Sequence, residues 1–180
     1  MEYFMISQKQ NIPNSIELNL KTDNDYERRQ IVEKQYADSV NDVSIVYTKD
    51  KKMSFYADVI DIPTFLISEK VKEVFINYDD DIIIKCVILS GESSDTKKVY
   101  WMPLMDTIDC MSSETEFYKN GDLKKLVLNK TKIEGKKIFR VANLKEYTVI
   151  INLDIAESLL RRFLSGIDIT RVEIAEEKEV

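Results

Sequence analysis

Val149 to Ile151 is a run of three β-branched residues, the composition of a buried strand. Asn152 follows it and can cap a helix by accepting a hydrogen bond from a free backbone N–H. Asp154 falls in the first turn, where the helix dipole favours a negative charge. Ile155, Leu159, Leu160, Phe163 and Leu164 recur at helical spacing and predict one apolar stripe. Arg161 and Arg162 fall in the last turn, and Gly166 is placed to end the helix in a left-handed conformation. Ile167, Ile169, Val172 and Ile174 then predict a second strand. The same grammar occurs earlier. Phe65 to Ile67 ends a strand, Ser68 is a candidate cap, and Val71, Val74 and Phe75 form a helical stripe. Asp79-Asp80-Asp81 makes a turn into a strand from Ile82 to Leu89. Two strand–helix–strand units are expected, either copies of one unit or recurrences of a common motif.

Around these units the pattern is mostly that of strands. Glu2 to Ser7 reads as one, and Ile16, Leu18 and Leu20 alternate as a second after the turn at Ile12-Pro13-Asn14. Lys21 to Gln35 is polar, and Tyr26, Ile31 and Val32 give it the period of a short helix. Val43 to Thr48 predicts a strand, followed by a solvated turn at Lys49-Asp50-Lys51-Lys52. Pro63 holds the end of Met53 to Ile62 extended. Gly91 to Lys98 is a polar loop, and Val99 to Met102 a strand ended by Pro103. Leu104 to Met111 reads as a short helix. Ser112 to Asp122 is a polar connection with a tight turn at Asn120-Gly121. Strands follow at Leu123 to Leu128 and Ile138 to Arg140. Strands outnumber helices, so the expected fold is α+β: a mixed sheet with a few short helices packed on it.

With 180 residues, 44% hydrophobic and 32% charged, the chain has the composition of a soluble globular domain. A single domain over 1–180 is expected, or two lobes over about 1–98 and 99–180. The first residues lack the basic start and apolar core of a signal peptide, and no apolar run approaches a membrane span. Cys86 and Cys110 form no metal or redox motif; Cys86 alternates with Ile82, Ile84 and Ile88 and reads as a small buried hydrophobe. A cytoplasmic location is expected. The net charge of −6 argues against nonspecific nucleic-acid binding and favours a basic partner.

Candidate chemistry is sparse. The chain has no histidine, which removes the commonest general base and transition-metal ligand. The four glycines do not make a phosphate loop. Asp79, Asp80 and Asp81 lack the spacing of a calcium loop and read as a solvated turn or a partner contact rather than a metal site. Asp106 and Asp109 would face one way on a helix, as a glycosidase-style pair of acids. Between Lys119 and Arg140 there are eight basic and two acidic residues, either a patch for an acidic partner or the outward lysines of strands. Tyr100 and Trp101 are adjacent on a strand, so one points inward and one outward, and an outward aromatic can anchor an interface.

FLISEKVKEVF, LKKLVLNKTKIEGKKIFRVANL and YTVIINLDIAESLLRRFLSGIDITRVEI together resemble a family of bacterial immunity proteins from polymorphic toxin systems. Its members pair a strand ending in a small polar residue with a helix, near the middle and again near the end. Between them lie a lysine-rich strand (here Leu123 to Leu128), an Ile-x-Gly turn (Ile133-Glu134-Gly135) and a phenylalanine–arginine strand (Ile138-Phe139-Arg140). The family often has a proline before that glycine, where this chain has Glu134. The resemblance spans residues 43 to 175. It implies a cytoplasmic, non-catalytic protein, without cofactor or metal, that binds and neutralises a cognate toxin, a basic one given the acidic chain. The contacts expected for it are Asp79, Asp80, Asp81, Trp101, Glu114 and Glu116. Two alternatives stay open: a non-catalytic regulatory or structural module of a mobile element, and an enzyme built on carboxylates.

Overall fold

The computed structural model describes residues 1–19, 33–49, 53–91 and 95–176. The fold is α+β, with two mixed six-stranded sheets and few helices. In chain order the elements are β1 Tyr3–Gln8, β2 Glu17–Asn19, a 3-10 segment Lys34–Ser39, β3 Val43–Lys49, β4 Val59–Ile60, β5 Leu66–Ile67, α1 Glu69–Tyr78, β6 Ile83–Gly91 and β7 Lys97–Leu104. There follow β8 Thr107–Ile108, β9 Glu116–Phe117, β10 Leu123–Lys125, β11 Val127–Asn129, a 3-10 turn Thr131–Ile133, β12 Ile138–Val141, β13 Val149–Asn152, α2 Leu153–Leu160 and β14 Ile167–Ala175.

The first sheet has the order β11-β14-β1-β13-β12-β8 and the second β2-β3-β6-β7-β5-β4. β9 and β10 form a separate hairpin. Each helix lies between two strands in sequence, but those strands are not neighbours. β7 lies between β5 and β6, and β1 lies between β13 and β14. Neither segment closes the simple unit that its sequence suggests.

α1 packs on β5 and β7, α2 on β1 and β13, and the two helices pack on each other. Their buried stripes, Val71, Val74 and Phe75 with Ile155, Ala156 and Leu159, share one cluster with Ile6, Ile138 and Ile151 of the first sheet and Val59 and Ile67 of the second. The opposite face of the first sheet buries Tyr3, Phe139, Ile150 and Val172, and that of the second buries Val87, Leu89, Tyr100 and Met102. Period-two alternation thus feeds three separate clusters from two sheets.

Several local expectations change. Asn152 caps α2, its Oδ1 accepting from Ile155 N at 3.2 Å. Ser68 occupies the equivalent place before α1 but makes no side-chain cap, because its hydroxyl donates to Asp58 Oδ1 at 2.6 Å. α2 ends at Leu160, not at Gly166. Arg161 and Arg162 lie just beyond it, and Leu160 and Phe163 project outward at 73% and 97% exposure, so the stripe stops at Leu159. Leu104 to Met111 is not a helix. Its Thr107 and Ile108 pair in parallel with Arg140 and Val141, and Arg140 N and Ala142 N donate to Asp106 O and Ile108 O. Asp106 and Asp109 therefore do not share a helical face. β7 continues through Pro103 to Leu104, tolerated because β5 pairs with β7 only at Trp101. Cys86 is half-buried on β6, whose buried face carries Val87 and Leu89 instead; Cys110 is the buried cysteine. Most of the helix expected over Lys21–Gln35, the turn after Lys49 and part of the loop after Gly91 lie outside the described residues. Among those described, no helix is long and apolar enough to cross a membrane.

Candidate interaction surface

β3 has its sides reversed. Its sequence alternates Val43, Ile45 and Tyr47 with Ser44, Val46 and Thr48. A half-buried strand turns its apolar set inward. Here Val43, Ile45 and Tyr47 face out at 55%, 61% and 54% exposure, while Thr48 is fully buried. The register extends this face across the sheet. Val43 sits beside Cys86 and Trp101, Ile45 beside Ile88 and Val99, and Tyr47 beside Ser90 and Lys97. Val99 is 54% exposed. The result is a contiguous apolar face three strands wide, carrying no carboxylate on β3, β6 or β7.

Why it stays open follows from the helix. The face is the one on which α1 packs, since Trp101 and Ile84 join the α1 core. Among the described elements α1 packs on β5 and β7, and Val43, Ile45, Tyr47 and Val99 stay exposed. Trp101 marks the border. Its Nε1–H donates to Glu69 Oε2 at 2.5 Å, and Lys72 Nζ lies 3.8 Å from the ring centroid and 2.6 Å from Glu69 Oε1. The indole is half-buried and clamped by α1, with Tyr100 pointing into the opposite core.

The other expected contacts are spread over different elements. Asp79 follows the last residue of α1, and Asp80 and Asp81 are exposed in the turn to β6. Asp81 N donates to Asp79 Oδ1 at 3.0 Å. Three acids at the negative end of a helix are unfavourable; Lys137 Nζ, donating to Tyr78 O at 2.8 Å, offsets part of this. Glu114 is exposed in the turn before β9, its N–H bound to Ser112 Oγ at 3.1 Å. Glu116 is on β9, paired at 2.5 Å with Lys124, which holds its carboxyl below the usual range. Asp79, Asp80 and Asp81 lead into the second sheet, Glu114 precedes the hairpin that carries Glu116, and Trp101 belongs to β7. The structure does not gather them into one site. Nor is the Lys119–Arg140 segment a bare basic patch: Lys124, Lys125, Lys130 and Lys136 pair with Glu116, Glu173, Glu176 and Asp106.

A cleft of about 710 Å³ opens where Glu33–Gln35, Met105–Ile108, Ile83 and Lys136 meet. Asp106 lies in it, 3.0 Å from Lys34 Nζ and 3.4 Å from Lys136 Nζ. The hydrogen bond from Lys34, with help from Lys136, holds its carboxyl below the usual range against the opposing effect of burial. A carboxylate held ionised this way donates no proton near neutrality. Its lowered pKa means its contribution to stability is present above the ordinary carboxylate pKa and lost as pH falls through the folded value. Asp106→Asn is therefore expected to cost under about 1 kcal/mol at neutral pH, since the side chain is half-exposed and screened. The cost should vanish in acid; an equal cost at pH 3 and pH 7 in urea titrations would contradict this.

Val43, Ile45, Tyr47 and Val99 were not among the contacts expected from the sequence. The available signal was the alternation in β3, which identifies an apolar side but not whether another layer covers it. Comparison with protein-family models and with curated proteins gave no match for this chain.

Proposed function

We propose that this chain is a non-catalytic binding protein that neutralises a cognate toxin in the cytoplasm, and that the open face of β3, β6 and β7 is part of its binding surface. The observation that carries the binding role is the reversed strand β3, which sets Val43, Ile45 and Tyr47 outward beside Val99. Apolar area left bare on a folded chain is stabilised when a partner removes it from water. The toxin as partner comes from the resemblance of residues 43 to 175 to immunity proteins.

The acid excess supplies steering toward a basic partner. Replacing Asp79, Asp80 and Asp81 by lysine should slow association at low salt and flatten its salt dependence; stopped-flow mixing that shows an unchanged rate would remove these acids from the interface. Co-expression with the proposed cognate toxin tests the function itself. Restored growth is the expected outcome, and cells that die equally with and without this chain would sink the reading.

A further inference from the structure

We propose that the cleft beside β8 binds the carboxylate end of a peptide, recognising the unit in which an amide N–H and a carboxylate sit on one residue. This site is separate from the open face of β3, β6 and β7 and does not depend on the toxin reading.

The backbone of β8 is the first argument. β8 is the last strand of the first sheet and pairs with β12. Arg140 N donates to Asp106 O at 2.9 Å, and Ala142 N donates to Ile108 O at 2.8 Å. In a parallel ladder alternate residues point to the same neighbour. Asp106 and Ile108 therefore face β12, and the N–H and C=O of Thr107 point away from it. Thr107 is exposed and lines the cleft. Among the described residues neither its N–H nor its C=O has a hydrogen-bond partner. The facing wall, Glu33–Gln35, meets this edge through side chains, Lys34 on Asp106 and Glu33 toward Arg140. The space beside Thr107 suits a chain that brings its own donor and acceptor.

Charge is the second. Arg140 lies beside Thr107 in register, its side chain 12% exposed and its Cζ 4.5 Å from the centre of the Tyr147 ring. Its Nε and Nη1 are buried without an acceptor, since Glu33 Oε1 stands 3.9 Å from Nη1, beyond hydrogen-bond reach. Lys34 and Lys136 share the one carboxylate of Asp106, although each ammonium carries three donors. Three cations thus face two carboxylates here, in a chain of net charge −6. What the site is short of is acceptors, and a carboxylate supplies them in charge-assisted form.

Length decides which carboxylate. β8 is Thr107–Ile108 only, and one residue of it offers a free N–H and C=O, so a long strand gains no further ladder by pairing here. A terminal residue uses that one pair in full. Set antiparallel opposite Thr107, its N–H donates to Thr107 O while one carboxylate oxygen accepts from Thr107 N–H, the exchanged pair of an antiparallel ladder. Its second oxygen turns toward Lys34 and Lys136. A cleft of about 710 Å³ has the size of a small-ligand site, room for a few residues and not for a folded domain. Backbone groups and cations capturing a chain end is a recurring mode of peptide recognition.

The test uses the full chain and four probes: acetylated tetraalanine with a free carboxylate, the same peptide amidated, N-acetylalanine, and acetate. Backbone amide shifts are followed by NMR. Saturable shifts at Thr107 and Ile108 are expected with the acid peptide and not with the amide. Lys136→Gln should weaken binding of the acid about threefold, and Asp106→Asn, which removes a competing carboxylate, should tighten it about threefold. Both substitutions are at exposed positions, so either can replace the other should one impair folding. Tighter binding of the acid peptide than of N-acetylalanine assigns the site to a chain end; equal binding assigns it to a single acylated amino acid held through the same unit. The amide binding as tightly as the acid, acetate matching N-acetylalanine, shifts centred elsewhere, or weaker binding by Asp106→Asn would overturn the proposal. So would the absence of saturation with every probe, or a Thr107 amide already bonded to another segment of the chain before any probe is added.

Discussion

Gly166→Ala is expected to lower the unfolding free energy by about 3 kcal/mol, from a left-handed penalty of about 1–2 and an overpacking cost of about 1–3. Gly166 has φ +71°. A Cβ there would lie 2.6 Å from Ala57 Cβ and 2.8 Å from Phe55 Cε1. Neither side can give way cheaply. Lys9 N donates to Gly166 O, Asp58 N donates to Ser165 O at 2.8 Å, and Tyr100 Oη donates to Ala57 O at 2.6 Å. The loop before β14 is thus pressed against the segment leading into β4, and the first sheet meets the second at this point. Urea unfolding at unchanged m-value measures the effect. Ala57→Gly in the same chain should recover only the part of the steric share owed to Ala57 Cβ, since the 2.8 Å approach to Phe55 Cε1 remains, and a double-mutant cycle reads that non-additivity directly. A loss under about 1 kcal/mol would mean the two segments are not held together as described.

The second large effect is expected at Asp58, which fastens the same junction. It is 8% exposed. Its Oδ1 accepts from Ser68 Oγ at 2.6 Å, and its Oδ2 accepts from Ser165 N at 2.6 Å and Ser165 Oγ at 3.1 Å. Ser68 N in turn donates to Asp58 O at 2.9 Å. One carboxylate therefore ties the start of α1 to the loop after α2. Hydrogen bonds to a charged group contribute about 1.5–3 kcal/mol each. Asp58→Ala also releases the Ser68 hydroxyl, free then to cap α1 and return about 1 kcal/mol. Ser165 is exposed, and water can satisfy its freed N–H. The net loss expected is about 2–3 kcal/mol. Amide exchange should quicken at Ser165 and Gly166 more than in the β1–β13 ladder; uniform quickening, or none, would contradict a local clasp.

What the sequence revealed depended on how local each cause was. The β13–α2 boundary was legible because Asn152 caps with its own side chain, three residues from its donor. Ser68 looked equivalent, but Asp58, ten residues upstream in the chain, takes its hydroxyl. Gly166 takes the left-handed conformation its sequence predicts, but not at a helix end: the helix stops at Leu160, and Ala57 and Phe55 leave no room for a Cβ. Leu104 to Met111 has helical spacing and yet is partly a strand, since β12 offers its backbone a ladder. In each case a tertiary partner overrode local preference.

The open face was hidden for a related reason. Alternation in β3 told that Val43, Ile45 and Tyr47 share a side, and ordinary patterning would bury that side. Only the register against β6 and β7, and the limited reach of α1, show that nothing among the described residues covers it. Trp101 was singled out as an outward aromatic, but Glu69 and Lys72 engage it. The acids nominated for steering depend on summed charge, which composition gives without position.

The account stands on the open face of the second sheet being what the partner contacts. The most direct measurement is growth of cells making the toxin proposed as its partner together with either the unaltered chain or the Ile45→Glu, Val99→Lys double variant, each shown by circular dichroism to be folded. The account predicts growth with the unaltered chain and death with the double variant. Equal protection by both would contradict it.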